Sequence, residues 1–293
     1  MGKTKGDVIF DIINYVILSI LLLVLVYPIY FIVIASLSDP HAIYRGEVIY
    51  KIAGFNIDGY TRILHTPQIW IGYRNSLLYM TVGTLVNLFI TIPAAYSLSR
   101  KDLIGKNIIM GIFVFTMFFG GGLIPTFILI RDLNLYNTPW IMIIMGGLNV
   151  YNMIVSRTFF QVNIPNELLE AAKIDGSTNT YFFLRIVIPL SKAIIAVMAL
   201  YYGVGHWNNF FTGLIYLKDK ELYPLQVVLR DILTQNQVLA DMMSGDESFI
   251  EQQKIADSIK YGVIIVACIP MLILYPFVQR YFVKGVMIGA IKG

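Results

Sequence analysis

The chain has 293 residues, 57% of them hydrophobic and 14% charged, with a mean hydropathy of +0.70. Soluble domains carry roughly 25% charged residues, so this composition excludes a water-soluble globule and indicates an integral membrane protein. A net charge of +4 without a run of Lys and Arg excludes a phosphate-tracking nucleic-acid binder, and a single cysteine, Cys268, excludes an internal disulfide or a thiolate metal cage.

The opening MGKTKGD leads into an apolar run without a small-residue cleavage site, which fits a retained first span better than a cleaved signal peptide. A helix that crosses the bilayer core needs about 20 predominantly apolar residues. Six windows meet this requirement without any Asp, Glu, Lys or Arg: 16–37, 75–98, 107–130, 133–156, 193–217 and 261–279. They are too long and uniform for barrel strands, and backbone groups in lipid need internal partners, so the reading is an all-α protein with six transmembrane helices and one domain over 1–293. Cys268, inside the last window, reads as a small buried hydrophobe.

Six spans put both termini on one face. If that face is cytoplasmic it holds twelve basic residues against ten outside, and Arg100, Lys101 and Lys106 crowd one short loop on it. Orientation follows basic residues near span ends, so both termini are expected in the cytoplasm of a multi-pass protein. Outside, residues 218–260 contain YPLQVVLRDIL, an amphipathic helix after Pro224, and then the acidic turn DMMSGDES. In the third window Gly120, Gly121 and Gly122 with Pro125 interrupt the helix, either as a kink for close packing or as part of a gate.

The one long cytoplasmic loop, 157–192, contains NIPNELLEAAKIDGSTNTYFFLRIVIPL. Pro165 suits a first helical position, and Glu167 and Glu170 favour the positive end of the helix dipole. Gly176 stands where a left-handed residue would end that helix. Ser177 or Thr178 can cap a second short helix running to about Val187, which Pro189 breaks. Ala171 and Ala172 give the first helix a flat face that another protein could approach. A solvated helix lying on the membrane is the alternative, but this one is neither basic nor strongly apolar on one side.

Polar residues inside spans are the other candidates. Asn87, Asn149, Asn152 and the run His206, Trp207, Asn208, Asn209 stand out, and Trp207 or Tyr151 could offer a flat ring face with a polar edge to a passing solute. Helix-packing hydrogen bonds are the competing role for each Asn, and packing is the expected role of His206. No phosphate-binding G-x-x-x-x-G-K-[ST] motif, paired carboxylates, H-E-x-x-H or nucleophile motif occurs, so no catalytic or metal residue is assigned.

Glu170, Ala171, Ala172, Gly176, Ile186, Ile188 and Pro189, at their spacing between the fourth and fifth windows, resemble the EAA loop of permease subunits of bacterial binding-protein-dependent ABC importers. The segments GGGLIPTFILIRDLNLYNTPW, HWNNFFTGLIYL and GVMIGAIKG are similar to the maltose-type carbohydrate branch, and within it to subunits for lipoprotein-linked or alginate-type oligosaccharide systems. The resemblance implies a type I ABC importer permease fold in a bacterial cytoplasmic membrane. It also implies a second homologous permease, two ATPase subunits and an extracytoplasmic solute-binding protein as partners, and a carbohydrate as cargo. ATP and Mg would be used by the partner subunits and no cofactor by this chain. Glu167, Glu170, Ala171, Ala172, Asp175, Gly176 and Pro189 would couple to an ATPase, and Gly289, Lys292 and Gly293 in the tail would reach between the ATPases. The rival readings are an importer permease for a non-sugar solute, and an ion-coupled secondary transporter, whose mid-membrane ionisable residues this chain lacks.

Overall fold

The computed structural model describes residues 4–242, 259–273, 275 and 276. Their regular structure is helical, with one isolated bridge between Ser38 and Phe55. The chain divides into two compact units, Met1–Ile69 with Leu229–Ile269, and Trp70–Val228 with Pro270–Gly293.

In the first unit, helix α1 (Lys5–Ser36) starts on a capping box: Thr4 Oγ1 accepts from Asp7 N–H, and Asp7 Oδ2 accepts from Thr4 N–H. Only its last residues, Ile34, Ala35 and Ser36, are buried. From Tyr15 to Tyr30 α1 is exposed and almost wholly apolar on every side, as suits a helix surrounded by lipid or other helices. Short helices α2 (Pro40–Tyr44) and α3 (Asp58–His65) follow. Tyr60 of α3 donates to Ser36 Oγ at 2.8 Å. Later in the chain, α15 (Ile259–Ile273) stacks Tyr261 edge-on against Phe31. Cys268 on α15 is exposed, not the buried hydrophobe expected from its apolar surroundings. The helix buries Gly262, Val263 and Ala267 on one side, and Cys268 falls on the other.

The second unit is built on α4 (Pro67–Ser99), which carries Pro93 within it. Then come α5 (Lys106–Phe118), α6 (Leu123–Asp132), α7 (Pro139–Ile144), α8 (Val150–Asn163) and α9 (Asn166–Ile174). A composite helix follows: α10 (Asn179–Phe182), a π turn (Phe183–Val187) and α11 (Ile188–Leu190). Next are α12 (Lys192–Trp207), α13 (Phe210–Tyr216) and the start of α14 (Leu225–Met242), the amphipathic helix expected after Pro224. Residues 243–248, the rest of the acidic turn, lie outside the described residues.

Of the five apolar windows wholly within the described residues, two, 16–37 and 75–98, sit on one uninterrupted helix (Leu37 being the C-cap of α1), while window 261–279 is described as α15 as far as Ile273 and lies partly outside the described residues. Among the described residues, α1 and α4 alone are long and apolar enough to cross a bilayer, or four spans if each bent pair counts as one. Window 107–130 turns by 112° between α5 and α6. Gly120, Gly121 and Gly122 lie at that turn, and Gly122 has φ +82°. A Cβ on Gly120 or Gly122 would meet nothing within 4 Å, so within this chain the glycines do not serve close packing. Window 133–156 breaks between α7 and α8, and window 193–217 between α12 and α13. Hydropathy measures the oil content of a segment and is blind to breaks whose freed backbone groups find partners inside the protein.

Candidate functional site

Two places in the second unit gather the residues singled out from the sequence. The first is loop 157–192. Its leading helix α9 takes Pro165 as N-cap, with ψ 146°, one position earlier than expected from the sequence. Glu167 lies in the first turn. The helix ends in a Schellman motif: Gly176 N–H bonds to Lys173 O at 3.0 Å and Ser177 N–H to Ala172 O at 2.8 Å, with Gly176 at φ +73°. Thr178 then caps α10 by accepting from Tyr181 N–H at 3.2 Å. Two short helices therefore meet at a sharp turn.

Ala171 and Ala172 do not form one open face. Ala172, 6% exposed, is packed in the core with Phe160, Phe182 and Val187, while Ala171 is exposed. Neighbouring residues on a helix point about 100° apart, so one alanine lets α9 approach the core closely and the other stays on the surface. The outward face carries Glu167, Leu168, Glu170, Ala171, Ile174 and Asp175. Ile174 is 87% exposed. Beside it a cleft of about 680 Å³ is lined by Leu168, Ala171, Asp175, Gly176, Tyr181 and Ile186. An exposed apolar side chain and a cleft on the same short helix are features that another protein can engage.

Pro189 does not end the second helix. The π turn, closed by the bond from Ile188 N–H to Phe183 O five residues back, runs straight into α11, which carries Pro189. The bend, 79°, comes at Ser191 instead, and α12 starts at once. The short α4–α5 loop grips this region. Arg100 Nε donates to Asp102 Oδ1 at 2.7 Å and Arg100 Nη1 to Asn179 Oδ1 at 2.9 Å. Lys173 Nζ lies 3.8 Å from Asp102 Oδ2. The hydrogen bond from Arg100 is the main cause that holds the Asp102 carboxyl down at about 2. From the sequence Arg100 had only served to orient the chain. No local pattern links it to Asn179, because the contact spans 79 residues.

The second place lies around the break between α7 and α8. Asn87 on α4 donates through Nδ2 to Gly146 O at 3.1 Å and Gly147 O at 2.8 Å. Both amide protons are thereby used, and Oδ1 accepts from His206 Nε2 on α12 at 2.6 Å. Tyr202 OH accepts from Asn149 N–H at 3.2 Å and shares a 2.7 Å hydrogen bond with Thr91 Oγ1. Asn87 and Tyr202 thus replace helical partners that the broken backbone has lost, and His206 and Thr91 hold those two side chains in place.

The other sequence candidates divide accordingly. Asn149 caps α8 by accepting from Asn152 N–H, and Asn152 is buried behind it. Trp207, 1% exposed, packs edge-on against Tyr73 at 5.8 Å. Its ring offers no open face. Asn209 caps α13, while Asn208 and Tyr151 are exposed. The tail residues Gly289, Lys292 and Gly293 lie outside the described residues.

Residues 69–288 match the profile of the family described as "binding-protein-dependent transport system inner membrane component". The chain belongs to this family. As a binding-protein-dependent inner membrane component it is a permease subunit and not an enzyme, and such a component works with a solute-binding protein and an ATPase. It is 38% identical over 287 residues to the polygalacturonan/rhamnogalacturonan transport system permease protein YtcP of Bacillus subtilis (strain 168), covering 97% of this chain and 99% of that one. It is 35% identical to Protein LplC of the same organism, covering 100% of this chain and 98% of that one. Among solved structures it is similar to a chain of a bacterial ABC transporter involved in the import of the acidic polysaccharide alginate. The TM-score there is 0.86 at 31% identity, covering 96% of this chain and 99% of that one.

Proposed function

We propose that this chain forms half of the membrane pathway of an ATP-driven importer for oligosaccharides derived from an acidic polysaccharide. A second permease, two ATPases and an extracytoplasmic binding protein complete the machine. The observation that carries the reading is the near full-length likeness to YtcP and to the alginate importer chain, both named for acidic polysaccharides. In this reading the six apolar windows cross the membrane with both termini in the cytoplasm. Three of the crossings are made from broken helices.

The outward face of α9 seats on an ATPase subunit through Leu168, Ala171 and Ile174, with Glu167, Glu170 and Asp175 around them and Gly176 setting the turn. Pro189 shapes the return to α12. The tail residues Gly289, Lys292 and Gly293 reach the ATPases, where ATP and Mg are bound. Asn208 and Tyr151 are the pathway candidates that keep an open surface, while Asn87, Asn149, Asn152, Trp207 and Asn209 hold the broken helices in shape.

The test is uptake into proteoliposomes containing this chain with its partner permease, ATPase and binding protein. ATP-dependent accumulation of an oligogalacturonate, in preference to a neutral malto-oligosaccharide of equal length, is expected. Preference for the neutral sugar would overturn the acidic cargo, and ATP-driven uptake by this chain alone would overturn the division of labour.

A further inference from the structure

The contacts of the α4–α5 loop are arranged about the turn at Gly176 in a way that membership of the family does not assign. Lys173 precedes Gly176 by three residues and Asn179 follows it by three. The first approaches Asp102 and the second is bonded to Arg100. One Arg–Asp pair therefore holds both arms of the turn. The Arg100 side chain is only 14% exposed, and its fork of donors serves two partners at once: Nε and Nη2 bind Asp102, and Nη1 binds Asn179. A planar guanidinium fixes angles as well as distances, which an ammonium cannot. Lys106 Nζ donates to Arg100 O at 2.9 Å, and Arg157 Nε donates to Leu98 O at 3.0 Å, so the end of α4 is itself tied to α5 and α8.

On either side of Arg100 and Tyr96 the packing is open. One cavity, about 420 Å³, runs along Pro93, Ser97, Leu103 and Phe183. The other, about 530 Å³, runs along Lys101, Lys106, Gln161, Asn166 and Glu167. Between them stand the Arg100–Asp102 pair and the Tyr96 ring, stacked on Phe183 at 5.1 Å, beside a core in which Ala95 and Leu98 of α4 pack with Ala172, Phe182 and Val187. The apolar core holds the segment against α4 without fixing its direction, and the Arg100–Asp102 pair adds the directional polar link to both arms of the turn.

We propose that Arg100 and Asp102 are positioning residues that hold both arms of the 166–182 turn against the end of α4, so that a push on α9 turns α4 and the polar cluster on Asn87 and Thr91. This rests on the reading of α9 as the ATPase-docking helix. Without the pair, α9 still docks but its displacement is lost in bending of the turn about Gly176 instead of reaching α4.

The experiment uses the assembled transporter in proteoliposomes, with Asp102→Asn, Arg100→Lys, Asn179→Ala and the Arg100→Lys/Asn179→Ala double variant. Two quantities are read: ATP hydrolysed per solute imported, and disulfide yield between Ala171→Cys and a cysteine placed on the ATPase, in a Cys268→Ser background. A coupling of this kind is worth about fivefold or more, so ATP per solute rises about fivefold while the disulfide still forms. Asp102→Glu restores part of the ratio, and the double variant is no worse than Arg100→Lys. An unchanged ratio in assembled Asp102→Asn and Arg100→Lys, additive losses in the double variant, or failure of every variant to assemble would each overturn the proposal. Absence of the disulfide even without substitutions in the pair would instead overturn the docking of α9.

Discussion

His206 lies against Gly83 so closely that a Cβ on Gly83 would sit 2.4 Å from His206 Cε1 and 2.5 Å from Nε2. The imidazole occupies the space that only glycine leaves free, and this contact sets how near α12 can come to α4. Gly83→Ala is expected to force the ring off Asn87 and lower stability by about 1–3 kcal/mol. Gly205→Ala, which meets nothing within 4 Å, is expected to be neutral. Thermal unfolding of the two purified variants makes the comparison. Equal melting temperatures would remove the steric argument.

Asn87→Leu leaves the carbonyls of Gly146 and Gly147 and the ring of His206 without their shared partner. Each unsatisfied buried group costs about 1–3 kcal/mol, so the α7–α8 break is expected to loosen first. Hydrogen exchange over 145–149 should speed up, while the outward face of α9 keeps its protection. Uniform protection across both regions would show that Asn87 is dispensable to the break.

Gly176 at φ +73° has open space around it, so a substitution there acts through the backbone alone. A left-handed conformation costs an ordinary L-residue about 1–2 kcal/mol, and Asn adopts it more readily than a β-branched residue. Gly176→Val is expected to abolish binding-protein stimulation of ATP hydrolysis with the chain still inserted, and Gly176→Asn to retain most of it. Equal loss in both would point to a side-chain clash with a partner.

Trp207 and Asn208 are neighbours with opposite surroundings. Trp207→Ala empties a buried site and is expected to cost about 3–5 kcal/mol, read as lost co-purification of the partner permease. Asn208 donates only to Val204 O of its own helix, at 3.0 Å, and is exposed. Asn208→Ala is therefore expected to preserve assembly and alter uptake of sugars of different length. Unaltered selectivity would take Asn208 out of the pathway.

Asp102 is held at about 2, below its ordinary value, because Arg100 stabilises the charged form. A depressed carboxylate contributes its stabilisation above the unfolded value of about 3.9 and loses it as pH falls through the folded one. The difference in melting temperature between the natural chain and Asp102→Asn is therefore expected to be flat from about pH 5 to 8 and to close only in strong acid. A difference that shrinks between about pH 7 and 6 would implicate another group. Since about half the Asp102 side chain faces solvent, added salt should narrow the difference as well.

Local chemistry was legible wherever it was complete within a few residues. The left-handed Gly176, the cap near Thr178 and the helix after Pro224 all follow from neighbours in sequence. What hydropathy could not foresee is long-range. Asn87 shields a break some 59 residues away, and without that partner the glycines at 146 and 147 look like two small residues in a span. Trp207 was ambiguous for the same reason: a ring with one polar edge suits a sugar or a core equally well, and its packing on Tyr73, far back in the chain, shows up only in the fold. Ala171 and Ala172 look alike in sequence until the core claims one of them.

The π turn at Phe183–Val187 has a consequence for spacing. A helix advances about 100° per residue, so the angle at which Asn179 leaves one end, relative to α12 at the other, depends on how many residues lie between. A π turn holds an extra residue within the same length of helix, and here it runs straight into α11, which carries Pro189 with no N–H to give. The interval from Gly176 to Pro189 is thus an azimuth recorded as a residue count. Deleting a residue from the regular turn of α10 would swing everything beyond it about 100° around the axis, whereas the π turn can shed its extra residue by relaxing to a regular α-helix. Among chains that keep this architecture, that interval should tolerate exchange of side chains far better than the loss of one residue.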